Sequence, residues 1–149
     1  MKAGKSAAAR TQPAGADRLR YFSEHQDEIV ATIRDLVEIE SPSDNKPAVD
    51  RIATVLASKF EALGGRTHLH RSADFGDSLQ IDFAAESTRK PVLLLGHYDT
   101  VYSLGTLASM PCKIENERLR GPGVLDMKSG IALMLHAIAA LQAWHGQLP

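Results

Sequence analysis

Residues 91–100 read Pro91-Val92-Leu93-Leu94-Leu95-Gly96-His97-Tyr98-Asp99-Thr100. The apolar run is continuous, and Arg89-Lys90 and Gly96 bound it. A strand with one wet face alternates, whereas a strand covered on both faces does not. The run therefore predicts a central strand of an α/β sheet. Gly96–Thr100 then falls at the carboxyl end of that strand, where open α/β sheets place their ligands.

The flanking sequence supplies the rest of an α/β pattern. Upstream, Phe22, Ile29, Ile33, Leu36 and Val37 follow helical spacing from Ala16 to Glu40. Ser41-Pro42 stops that helix, because the residue before proline avoids the helical region. A second helix follows Pro47, with Val49, Ile52, Ala53, Leu56, Phe60 and Leu63 on one stripe and Gly64-Gly65 as its stop. Leu79, Ile81 and Phe83 alternate with Gln80 and Asp82 as in a half-buried strand, and Thr67–Arg71 is a weaker strand able to pair with it. Downstream, Lys113–Glu115 and Arg118–Arg120 read as a hairpin about Asn116. Met127 to Ala143 reads as a helix burying Ile131, Met134, Leu135, Ile138 and Leu141. The expectation is a mixed sheet flanked by helices.

Two stretches carry chemistry. In Gly96-His97-Tyr98-Asp99-Thr100, His97 offers a ring nitrogen to a metal, and Asp99 is near enough to accept the proton on the other nitrogen. On spacing alone, His-x-Asp is more often a loop pair of purely local use. In Gly121-Pro122-Gly123-Val124-Leu125-Asp126-Met127, Asp126 sits where a helix N-cap belongs, which is the ordinary reading of an isolated aspartate. A carboxylate kept anionic by a helix start also suits a metal. The glycines lack the third member of a dinucleotide loop. Ser43 and Ser129 lack a nucleophile elbow, and Cys112 has no evident base. His25, His68, His70, His136 and His145 read as structural or solvated, and Trp144 as packing the end of the last helix.

Composition narrows the classes. At 149 residues and 44% hydrophobic, the chain suits one domain, burying roughly 68–70% of its unfolded surface without metals or disulfides. With 17 basic and 18 acidic side chains, its net charge of -1 argues against nucleic-acid binding driven by bulk charge. One cysteine excludes a disulfide framework and fits a reducing cytoplasmic setting. No uninterrupted apolar run reaches the roughly 20 residues of a membrane span. Residues 1–15 read as a disordered tail and residues 16–149 as the folded portion.

Leu36–Ser43, Leu93–Tyr102 and Arg120–Gly130, in this order and spacing, resemble the N-terminal part of the catalytic domain of M20 zinc metallopeptidases. Thr100-Val101-Tyr102 is most similar to the glutamate carboxypeptidase branch, with N-acyl-amino-acid deacylases as the alternative. The resemblance implies a zinc-peptidase-like fold and hydrolysis of an amide bond by metal-activated water. His97 would bind one Zn2+, Asp126 would bridge two, and Asp99 would act on catalysis by holding His97. Co2+ or Mn2+ would also suit such donors. The peptide after the bridging aspartate, here Asp126–Met127, is often cis in that family. The family's adjacent glutamate pair, later ligands and lid/dimerisation domain have no counterpart here, since no Glu-Glu occurs in the sequence. The expectation is thus an incomplete, truncated portion, inactive alone and prone to self-association, or else a non-catalytic product. Its substrate would be a small peptide or N-acyl amino acid, and its substrate-binding residues are unknown.

Overall fold

The computed structural model describes residues 15–84, 86–146 and 148. Most of the expected tail lies outside the described residues, and Gly15 already begins the first helix. The elements are α1 (Gly15–Glu24), α2 (Gln26–Val37), α3 (Lys46–Ala62), β1 (Arg66–His70), β2 (Ser78–Asp82), α4 (Thr106–Ser109), β3 (Lys113–Glu115), β4 (Arg118–Arg120) and α5 (Ser129–His145). A kinked turn, Val124–Lys128, leads into α5.

The single helix expected over 16–40 is two. It breaks at His25, whose ring Nδ1 lies 2.7 Å from the Tyr21 carbonyl oxygen that also accepts the His25 N–H at 3.1 Å. A side chain competing for a helix carbonyl is a recognised cause of such breaks. The His25 ring, expected on an exposed face, is half-buried and stacks on Tyr21 at 4.1 Å. Tyr21 and Phe22 in turn meet Trp144 edge-on, which fixes α1 to the end of α5.

α3 starts as expected: the Asn45 side chain accepts the Ala48 N–H at 3.1 Å, and Pro47 occupies the first turn, where no N–H is needed. Its apolar stripe meets α2 and α5 in one core of Leu36, Ile52, Leu56, Phe60, Ile131, Ala132, Leu135 and Ile138. Leu79, Ile81 and Phe83 pack onto this core, so the β1–β2 hairpin lies on α3. β1 and β2 are antiparallel, with Arg66 opposite Asp82 and His70 opposite Ser78. β3 and β4 pair as the sequence predicts.

Three expectations are corrected. Pro91–Gly96 pairs with nothing among the described residues, so the mixed sheet is replaced by two separate two-stranded antiparallel sheets. The run is not covered on both faces either: Val92, Leu93 and Leu95 are each at least 80% exposed. Continuous apolarity expresses a demand for cover, but it supplies no neighbouring strand, and β2 spends its paired edge on β1. On α5, Ala132 and Ala140 are buried, while Met134 is half-buried and Leu141 exposed. The helix is apolar all round, so the sequence could not choose its buried stripe. The stretch Val124–His145 is long and apolar enough to cross a membrane by length and mean hydropathy, although Asp126 and Lys128 interrupt it, so no uninterrupted apolar run of that length exists. Its buried residues are the centre of the core described above, which is the role the structure gives it.

An uncovered, unpaired apolar segment invites pairing with another chain. The 149-residue chain is expected to associate as its concentration rises, and Leu93→Lys to reduce that association. Light scattering over a concentration series checks this, and a parent that stays monomeric throughout would count against it.

Candidate functional site

Three segments converge on His97. Residues 41–43 run parallel to residues 98–100: the Thr100 N–H donates to the Ser41 carbonyl at 2.7 Å, and the Ser43 N–H donates to the Thr100 carbonyl at 2.9 Å. The fully buried Ser41 hydroxyl donates to the Tyr98 carbonyl at 2.7 Å. Gly123 closes the third side. Its φ is +73°, and a Cβ there would stand 2.6 Å from Thr100 Cγ2, so only glycine lets the turn approach this closely.

That approach carries Asp126 to His97. Nε2 of His97 and Oδ1 of Asp126 are 2.8 Å apart. On the other side of the ring, Nδ1 is 3.1 Å from the Asp99 carbonyl oxygen and 3.3 Å from Asp99 Oδ1. The second Asp99 oxygen accepts the Ser43 hydroxyl at 2.6 Å. Asp126 makes no N-cap bond. The backbone departs from helical angles at Asp126 and Met127, and their peptide is cis, as the resemblance implied. The ordinary reading of Asp126 is therefore replaced by a contact across 29 positions of sequence. The hydrogen bond to Asp126 raises the His97 pKa, with partial burial opposing it and the Asp99 contacts assisting.

Supporting groups surround these residues. Tyr98 donates its hydroxyl to the Asp77 carbonyl. Asp77 is buried and holds Lys46 Nζ at 2.5 Å and Arg71 Nη1 at 2.6 Å, while its own N–H donates to Asp50 at 2.8 Å. Chiefly through Lys46, this pulls its carboxyl down to about 2. Lys128 is also buried and donates to the Ile39 carbonyl at 2.6 Å; burial lowers its pKa to about 8. Glu40 accepts the Gly105 and Leu107 N–H groups, which ties down the loop after the site. Sequence reasoning took Ser41-Pro42 as a helix stop, set Ser43 aside as a nucleophile, and gave Lys128 no role of its own. Two serines flanking a proline beside a motif-bearing segment were the available signal.

The remaining candidates do not join the site. His136 meets Thr32 at 2.9 Å, and His70 meets Gln80 at 2.8 Å. His68 has Asp82 at 3.6 Å, a carboxylate neighbour the spacing did not reveal. Burial raises the Cys112 thiol, which disfavours the thiolate a nucleophile needs. Among the described residues, no group of three or more His, Cys, Asp or Glu side chains is arranged to hold a metal ion.

Residues 93–149, which contain His97, Asp99 and Asp126, match the model of peptidase family M20/M25/M40. This portion of the chain matches peptidase family M20. It is 29% identical over 124 residues to carboxypeptidase G2 of Pseudomonas sp., covering 82% of this chain and 30% of that protein. It is 52% identical over 116 residues to a protein of Mycobacterium tuberculosis provisionally named succinyl-diaminopimelate desuccinylase DapE, covering 71% of this chain and 27% of that one. The structure of human carnosine dipeptidase 1 superposes with a TM-score of 0.75 at 22% identity over 89% of this chain and 32% of that chain, a likeness of fold. The chain thus spans about a third or less of the length of these proteins.

Asp77 gives the site loops an acid limit. Its folded pKa lies below its unfolded value, so its contribution is present above the unfolded pKa of about 4. That contribution is lost as pH falls through about 2. Urea midpoints are expected to drop between pH 4 and 2, and to drop less steeply in Asp77→Asn. Parallel curves for the two proteins would remove Asp77 from this role.

Proposed function

We propose that residues 16–149 are the N-terminal portion of an M20 catalytic domain that hydrolyses an amide bond, and that His97 and Asp126 hold its metal cation. The single observation behind this reading is the 2.8 Å approach of His97 Nε2 to Asp126 Oδ1. With its Nδ1 proton turned toward Asp99, a neutral His97 would present a lone pair to a carboxylate lone pair. Two acceptors this close require positive charge between them, either a proton or a metal ion. Both side chains are solvent-accessible, at 46% and 84%, so a cation can reach them. Imidazole and carboxylate together suit Zn2+, and also Co2+ or Mn2+.

When bound, such a cation acidifies a coordinated water and polarises the scissile carbonyl. The residues of this chain do the preparatory work. Asp99 holds the Nδ1 side of the ring, which fixes the tautomer that leaves Nε2 free for metal and makes the ring more basic. Asp126 adds the negative charge that offsets the cation. A catalytic zinc site takes three protein ligands plus water. The two donors here would be part of such a centre. The 149-residue chain is expected to show little or no hydrolysis.

Two substrate classes have support. The resemblance of Thr100-Val101-Tyr102 favours release of a C-terminal glutamate, and the longer match to carboxypeptidase G2 favours a carboxypeptidase. The 52% identity to the protein named as a desuccinylase favours removal of an N-acyl group. Comparing glutamate release with acetate and succinate release from matched substrates separates them in a chain of the relatives' full length. The free thiol of Cys112 fits a cytoplasmic enzyme.

Zn2+ titration by calorimetry tests the centre. The parent is expected to bind one ion specifically, and Asp126→Ala and His97→Ala about ten-fold or more weakly, as loss of one donor from a small set implies. Affinity is expected to fall as pH falls through the raised His97 range, because the Nε2 proton competes with the metal. Equal binding by the parent and both variants would overturn the assignment.

A further inference from the structure

The Ser43 hydroxyl does something the fold does not require of it. Ser43 is exposed, so water could satisfy its hydroxyl at little cost. The segment is already secured by two backbone bonds to Thr100 and by the buried Ser41 hydroxyl. Two acceptors lie within reach of Ser43 Oγ: the Thr100 carbonyl at 3.1 Å and Asp99 Oδ2 at 2.6 Å. One hydroxyl proton serves one acceptor well, and the shorter, charge-assisted contact to the carboxylate is the stronger. A serine that merely closed the loop would have spent that proton on Thr100.

The consequence falls on His97. Asp99 has two carboxylate oxygens and one soft side-chain torsion that decides which of them faces the ring. With Oδ2 engaged by Ser43, Oδ1 is left 3.3 Å from His97 Nδ1. His97 Nε2 then points at Asp126. The hydroxyl, the carboxylate, the ring and the second carboxylate form a continuous line of partners that crosses 56 residues between Ser43 and Asp99 and 29 between His97 and Asp126.

We propose that Ser43 is a positioning residue of the metal centre: its hydroxyl locks the Asp99 carboxylate, and through it the orientation and tautomer of the His97 ring. This rests on the metal-centre reading above, but its first consequence, a fixed ring, exists without metal. Ser43 touches neither metal nor substrate in this role. Threonine retains the hydroxyl and alanine removes it, and exposure of the site lets both fold.

The test compares the parent, Ser43→Ala and Ser43→Thr as the full 149-residue chain. The first readout is the ring 15N NMR signature of His97 in the metal-free protein, at one pH above the imidazole range. The parent is expected to show a single ring state, Ser43→Ala an average of two, and Ser43→Thr the parental state. The second is Zn2+ affinity by calorimetry, expected to fall about ten-fold in Ser43→Ala, at the lower end of what loss of a supporting partner costs, and to recover in Ser43→Thr. Thermal midpoints of the three proteins are expected to coincide. Retention of either the parental ring signature or the parental Zn2+ affinity in Ser43→Ala overturns the proposal. If the parent binds Zn2+ no better than His97→Ala, the metal reading fails, and the ring signature alone decides the role of Ser43.

Discussion

Residues 41–43 and 98–100 hold each other by main-chain hydrogen bonds, and the site depends on that short parallel contact. It joins the end of the first helical layer to the loop that follows the apolar run, two places more than fifty residues apart. Backbone bonds set the approach to within tenths of an ångström, which side-chain packing alone does not. Ser41 carries the contact inward through its buried hydroxyl, while Ser43 carries it outward to Asp99. One tripeptide therefore faces both the core and the chemistry. Pro42 between the two serines supports this division, since its ring fixes φ and limits how the tripeptide can turn.

The remaining sides of the site are set by groups whose own positions are over-determined. Gly76 lets the loop after β1 sit against Val49 of α3, where an added Cβ would be 2.1 Å from a valine methyl. That proximity puts Asp77 among Lys46, Asp50 and Arg71, and the Asp77 carbonyl receives the Tyr98 hydroxyl. Tyr98 is thus pinned from below by a charged network and from beside by Ser41. His97 and Asp99, its two neighbours, inherit a fixed backbone. Precision at an exposed pair of donors is in this way supplied by buried contacts that never touch a ligand.

Much of this was legible in the sequence, and the exceptions have physical reasons. Helix α3 and the β3–β4 hairpin about Asn116 follow from local patterns, whereas the grouping of His97, Asp99 and Asp126 was implied by the family resemblance and not by local pattern. Local patterns do not report competition. The helix break at His25 comes from a side chain taking a carbonyl, and nothing in the apolar spacing registers it. Asp126 has the credentials of an N-cap, and only the tertiary approach of Gly123 to Thr100 diverts it to His97. Ser43 was invisible for the same reason, because its partner lies in another segment. The apolar run at 91–96 was read as a covered central strand and is neither paired nor covered, because pairing is a property of two segments and one segment cannot reveal it.

That run has a consequence for biosynthesis. On a ribosome, Val92–Leu95 emerges as an extended apolar stretch before α5 has been made, and in the folded chain it is still open. Chaperones bind such stretches, and the alternative is coagulation of nascent chains. Arg89, Lys90 and Pro91 stand immediately before it, two like charges and a residue lacking an N–H. Placed there, they act as gatekeepers, because repulsion and a missing donor hinder stacking of identical chains while leaving the run free to receive a legitimate neighbour. Arg89, Lys90 and Pro91 thus act on the nascent chain rather than on the folded site.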